Sequence, residues 1–161
     1  MKIMEWSEVV AHPSLRDLPF KIELDENGKI VMTPVKLRHS IHAGEIAFLM
    51  RRMRADGNVL VECAIDTRKG TKVADVAWAL ASTLERIEAE TSASVAPEVC
   101  VEVVSASNTG KEMKGKRKLY FERDAQEVWT CDGEGAMRFF NPKRELKRSR
   151  LFPAFPAKIE V

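Results

Sequence analysis

The sequence predicts an α/β fold, a single domain over residues 1–161 with a mixed β-sheet and helices on both faces. Three observations carry this. Apolar runs of strand length, at residues 59–67, 73–80 and 98–105, alternate with stretches of helical period at 39–54 and 109–123. The chain of 161 residues is 45% hydrophobic, enough for one sizeable core with little room for a second. No repeat, linker or low-complexity segment divides it.

Each element has its own signal. Glu5, Trp6 and Glu8 alternate as in a short amphipathic helix over 5–11, and a loop through Pro13 and Pro19 follows. Strands at 20–24 and 29–33 flank Asp25-Glu26-Asn27-Gly28, and Asn-Gly between such runs signals a hairpin. The long helix at 39–54 carries Ile41, Ile46, Leu49 and Met53 at helical spacing and stops at Asp56-Gly57. Two strands then cross a Lys69-Gly70 turn. The polar segment 82–90 reads as a helical surface excursion before Pro97. Thr109 and Glu112 form a capping box that opens the next helix. Strands at 127–131 and 136–140 turn at Gly133 and Gly135.

Asp75 and Glu102 each interrupt a buried-looking apolar strand. A lone ionised carboxylate there costs several kcal/mol unless a cation, a metal or convergent hydrogen bonds offset it. At about 100° per residue, Met113, Leu119 and Tyr120 share one arc of the 109–123 helix with Lys116 between the last two, while Lys111, Lys114 and Lys118 lie opposite. One lysine of this basic helix therefore points inward.

Asp, Glu and an inward Lys are the parts of metal-dependent phosphodiester hydrolysis: two carboxylates for a hard divalent cation and a lysine for the nucleophile or the developing charge. The competing reading is a buried ion triad without chemistry. Stability distinguishes the two on the expectation that a single lysine offsets both carboxylates. A metal site then makes Asp75→Asn neutral or stabilising, whereas a structural salt bridge makes it cost about 3–5 kcal/mol.

Four segments resemble the Uma2 family, within the PD-(D/E)XK nuclease superfamily: Glu23 through Pro34, Arg38-His39, Ala74-Asp75-Val76, and Val101 through Ser107. The similarity continues through Lys116 to Tyr120, Glu127-Val128-Trp129 and Leu151-Phe152-Pro153, covering nearly the whole chain. Ala74 stands where the family usually has proline. Val104 stands where the superfamily's Glu-x-Lys element has its lysine, so the helix supplies it as Lys116. The resemblance implies a restriction-endonuclease-like fold and an endonuclease using Mg2+ or Mn2+, with Asp75 and Glu102 as metal ligands and Lys116 as the catalytic lysine. It also implies Glu23 at the rim of the metal site, His39 against substrate phosphate and Glu45 as an accessory acid.

Residue patterning qualifies some of these roles. Alternation with Phe20, Ile22 and Leu24 turns Glu23 and Lys21 away from the core. His39 and His42, three apart without a further spaced ligand, read as solvated helix-start residues. Cys63, Cys100 and Cys131 lack zinc spacing and read as reduced core residues.

The formal net charge is only +2, yet residues 111–118 hold five cations against one acid, and Lys143, Arg144, Lys147, Arg148 and Arg150 form a second basic block. Either block could track phosphates or form a solvated surface. No leader and no apolar run near 18 residues is present, which points to the cytoplasm and away from membranes. The reading is a nuclease acting on nucleic acid, DNA above RNA, paired as a homodimer if it cuts both strands. Two alternatives stand beside it: a noncatalytic nucleic-acid-binding or interaction module, and a metal-dependent hydrolase of another class.

Overall fold

The first hairpin forms its own sheet. In the computed structural model, which describes residues 3–161, β1 (Phe20–Leu24) pairs antiparallel with β2 (Ile30–Pro34) as a two-stranded unit. Its turn is closed by Asp25, whose Oδ1 accepts the backbone N–H groups of Asn27 and Lys29 at 2.8 and 2.9 Å. A short helix α1 (Trp6–Ala11) precedes it.

The main sheet has six strands in the order β3 (Gly57–Thr67), β4 (Gly70–Leu80), β5 (Val99–Val103), β6 (Glu127–Cys131), β7 (Met137–Phe140) and β8 (Glu145–Leu146). Neighbours are antiparallel except β5 and β6, which run parallel. A parallel pair needs a crossover. Here α4 (Gly110–Phe121) provides it, started by a reciprocal Thr109–Glu112 capping box with both bonds at 3.1 Å.

Two apolar clusters cover the two faces. On one, Ile46 and Met50 of α2 (Leu37–Met53) pack with Val76, Trp78, Val99, Val101, Trp129 and Phe152. On the other, Tyr120 of α4 and Ile87 of α3 (Ala81–Ile87) pack with Ala77, Cys100 and Val128. All three cysteines are buried and free. The two-residue β8 escaped sequence analysis because it lies inside a charged run. Among the described residues no helix is long and apolar enough to cross a membrane.

One irregularity positions the site. β4 pairs with β3 from Gly70 to Leu80 except at Asp75 opposite Glu62, yet with β5 only over Val76–Trp78. Its first half leaves β5 and runs beside β1, where the Val73 N–H reaches Glu23 and Lys72 Nζ reaches the Leu24 carbonyl. Ala74 and Ala77 lie in one cluster despite being three apart, so the regular facing of β4 breaks between them, and β3 breaks in parallel between Leu60 and Cys63. Glu62, opposite this break, takes a φ of 52°, a left-handed conformation that costs a non-glycine residue roughly 1 kcal/mol. The parting of β4 from β5 opens a cleft at Asp75 and Glu102.

The cleft is closed on its far side by the hairpin. Gly70, with φ 84°, brings the β3–β4 turn so close to the end of β1 that a Cβ would collide with the carbonyl oxygens of Leu24 and Asp25.

Candidate active site

Asp75 is 6% exposed and fully engaged. Its Oδ2 accepts the Val103 N–H at 2.8 Å and lies 3.3 Å from His39 Nε2, and its Oδ1 accepts Lys21 Nζ at 2.9 Å. Glu102 is 4% exposed; its Oε1 accepts the Tyr120 hydroxyl at 2.6 Å and sits 3.0 Å from Lys116 Nζ. Its Oε2 accepts Lys21 Nζ at 3.3 Å. Lys116 is also 2.9 Å from Glu23 Oε2, which accepts the Val73 N–H at 2.7 Å. Three carboxylates and two ammonium groups thus form one network at the base of a cleft of about 780 Å³.

Burial sets the electrostatics and the lysines divide it. For Asp75, burial opposes ionisation, but His39 and Lys21 outweigh it and hold the carboxyl well below the usual range. Glu23 is likewise held low against burial by Lys116 and Lys21. Glu102 goes the other way: burial outweighs Lys116 and Lys21 and drives its carboxyl up. Burial also disfavours the Lys21 charge, yet Glu102, Asp75 and Glu23 together hold its ammonium far above the ordinary lysine value.

The structure brings Asp75, Glu102, Lys116, Glu23 and His39 together. Lys116 lies inward as the wheel requires, with Met113, Leu119 and Tyr120 buried and Lys111, Lys114 and Lys118 exposed. Three expectations are corrected. Lys21 and Glu23 do not turn to solvent, since their side chains are 14% and 13% exposed and face the site. Alternation identified their shared side of the strand, but the docked hairpin turns that side onto the cleft. Second, His42 is buried at 1% exposure instead of solvated, because the α2 face carrying it packs inward. Third, Asp75 and Glu102 are not offset by a single lysine, since Lys21 bridges them and Lys116 adds to Glu102.

Glu45 is half-buried on α2 and does not line the cleft. Lys143, Arg144, Lys147 and Arg148 are exposed around β8, three strand spacings or roughly 14 Å from β5, and none lines the cleft. The cations that do line it include Lys36, Arg38, Lys69 and Lys72. Sequence reasoning noted Arg38 only as part of a family-like segment and assigned no cleft role to it or to Lys36, Lys69, Lys72 and Lys21, which are scattered over the hairpin, the start of α2 and the β3–β4 turn.

The donor set suits a hard divalent cation. Asp75 Oδ1 and Glu102 Oε2 aim at one point, filled by an ammonium group. Among the described residues no group of three or more His, Cys, Asp and Glu side chains forms a metal cage. Mg2+ does not need one, because it keeps several waters and takes one or two carboxylates plus substrate oxygens.

Comparison with solved structures places the fold. The crystal structure of "a putative nuclease belonging to DUF820" from Anabaena variabilis ATCC 29413 aligns with a TM-score of 0.70 at 17% identity, covering 88% of this chain and 82% of that chain. The two share a mixed α/β fold. No curated protein gives a significant match. The chain belongs to the Uma2 family, described as "Putative restriction endonuclease", whose family model matches residues 6–152.

Proposed function

We propose that this protein is a divalent-metal-dependent endonuclease that hydrolyses phosphodiester bonds in DNA. The observation that carries the reading is the aim of two buried carboxylates at one cation position, with Lys116 held between Glu102 and Glu23 beside it. Asp75 and Glu102 would hold Mg2+ or Mn2+, which when bound supplies Lewis acidity at the scissile phosphoryl group and lowers the pKa of water.

The chain's own groups supply the rest. Lys116 donates hydrogen bonds to the attacking water and to charge developing on the phosphoryl oxygens. Glu23 aims that ammonium, and the Tyr120 hydroxyl fixes the Glu102 carboxylate. His39 steadies Asp75 and faces the cleft toward the phosphate. Lys36, Arg38, Lys69 and Lys72 contact neighbouring phosphates from the cleft walls. The family description supports DNA as substrate, and a cytoplasmic location fits DNA and three free cysteines. Two copies, each cutting one strand, would make a double-strand break.

The near-balance of charge without a metal, three carboxylates against two lysines, favours a second reading as a noncatalytic DNA-binding module. Incubating purified protein with supercoiled plasmid in Mg2+, Mn2+ or EDTA separates them. Nicking in Mg2+ or Mn2+ that is lost in EDTA and in Lys116→Ala is expected. DNA retention with no nicking in any metal would leave the binding module.

A further inference from the structure

Lys21 belongs to neither the expected ligand pair nor the expected catalytic lysine, yet its Nζ lies 2.9 Å from Asp75 Oδ1 and 3.3 Å from Glu102 Oε2. A magnesium ion would sit about 2.0–2.1 Å from the same two oxygens. Both cations cannot occupy that space. The geometry points to Lys21 as a removable placeholder, an ammonium group that fills the divalent-cation position in the metal-free protein and must leave when the cation binds. This rests on the metal-site reading above and adds to it that loading is an exchange of cations.

Three further features fit an exchange. Without metal, Asp75 and Glu102 are neighbouring buried carboxylates whose repulsion needs a counter-charge, and Lys21 bridges both. Lys21 is carried by the β1–β2 hairpin, which has its own two-stranded ladder, so its departure breaks no ladder bond of the main sheet. Lys21 is also among the residues that line a second hollow of about 270 Å³, whose lining includes the exposed acids Asp17 and Glu62. A flexible four-carbon stem lets the ammonium swing there and keep acidic company.

The cost of displacing Lys21 comes out of metal affinity, so removing its charge must tighten binding. Calorimetric titration of Mn2+ into wild type, Lys21→Met and Asp75→Asn reads this directly. Lys21→Met is expected to bind Mn2+ at least tenfold more tightly than wild type, and Asp75→Asn to lose this binding. Equal or weaker Asp75-dependent affinity in Lys21→Met overturns the placeholder and leaves the metal site intact. Absence of Asp75-dependent binding in both wild type and Lys21→Met overturns the placeholder and the metal site together.

A measurement on wild type covers the case in which Lys21→Met fails to fold. Amine acetylation read by mass spectrometry should find Lys21 protected in EDTA and several-fold more reactive at saturating Mn2+, with Lys116 protected in both. Unchanged Lys21 reactivity while calorimetry records Mn2+ binding overturns the exchange.

Discussion

Two buried carboxylates on adjacent parallel strands solve the same problem in opposite ways. Glu127 on β6 and Glu102 on β5 are 2% and 4% exposed. Glu127 is satisfied by neutral donors: Trp129 Nε1 and Ser149 Oγ at 2.7 Å on Oε2, with the N–H groups of Arg150 and Leu151 at 2.7 and 3.1 Å on Oε1. These donors are backbone or short, rigid side chains, and they tie the returning chain after β8 to the sheet. Glu102 instead takes one neutral donor, the Tyr120 hydroxyl, and two ammonium groups on flexible stems. A carboxylate closed by fixed dipoles has nothing to exchange. One closed by cations on flexible stems leaves room for the exchange proposed above.

The largest expected difference between the regions is in activity. Asp75→Asn, Glu102→Gln and Lys116→Ala should each lower plasmid nicking by about 100-fold or more, and double variants should add little, because the groups act as one unit. Glu127→Gln should keep its rate per folded molecule, and Lys111→Ala should nick like wild type. Loss in Lys111→Ala comparable to that in Lys116→Ala would break the comparison.

Stability should reverse the order of Glu102 and Glu127. Glu127→Gln turns an amide N–H2 toward donors and should cost about 3 kcal/mol in urea unfolding. Glu102→Gln in EDTA should cost less, since burial already disfavours that charge. Asp75→Asn should also cost about 3 kcal/mol in EDTA, because it leaves Lys21 underpaired beside His39. The expectation of a neutral Asp75→Asn assumed one lysine for two carboxylates and does not survive Lys21. Metal response therefore replaces the stability of this variant as the discriminator: wild type in saturating Mg2+ should melt higher than in EDTA, and Asp75→Asn should not.

A smaller effect is expected with acid. The Asp75 carboxyl is lower in the folded than in the unfolded chain, so its contribution is present above about pH 4 and lost as pH falls toward the folded value. Glu102, raised on folding, has the opposite sign: its contribution is present below its unfolded value and lost as pH rises through the folded one. Unfolding curves between pH 7 and 3 should show an acid limb shallower by roughly 1 kcal/mol in Asp75→Asn and steeper in Glu102→Gln. An identical limb in wild type and Asp75→Asn would contradict this assignment.

The smallest effect concerns DNA affinity. Replacing Lys69 and Lys72 with Gln should lower the salt slope of binding by roughly 2, whereas the same change at Lys147 and Arg148 should leave it unaltered. The reverse result would return the phosphate path to the second basic block.

How much was legible follows from which forces act locally. Asp75 and Glu102 stand out because a lone acid in an apolar strand demands a partner, and Lys116 because a helix's period fixes its inward side. The side of β1 that meets the core was not legible, since alternation separates Lys21 and Glu23 from Ile22 and Leu24 without saying which pair the hairpin presses onto the sheet. The basic block at 143–150 stayed ambiguous for the opposite reason: charge density along the chain says nothing of distance from the cleft. Glu127 was visible only as part of a family-like strand, because three of its four donors come from a loop more than 20 residues onward.

Gly70 carries no functional group, yet it is where two otherwise separate sheets touch backbone to backbone, with no room for a methyl group between them. The hairpin that presents Lys21 and Glu23 therefore meets the main sheet there with no slack. An added side chain there would act as a wedge, tilting both groups off Asp75 and Lys116 together and uncoupling a chemically intact centre through steric bulk alone.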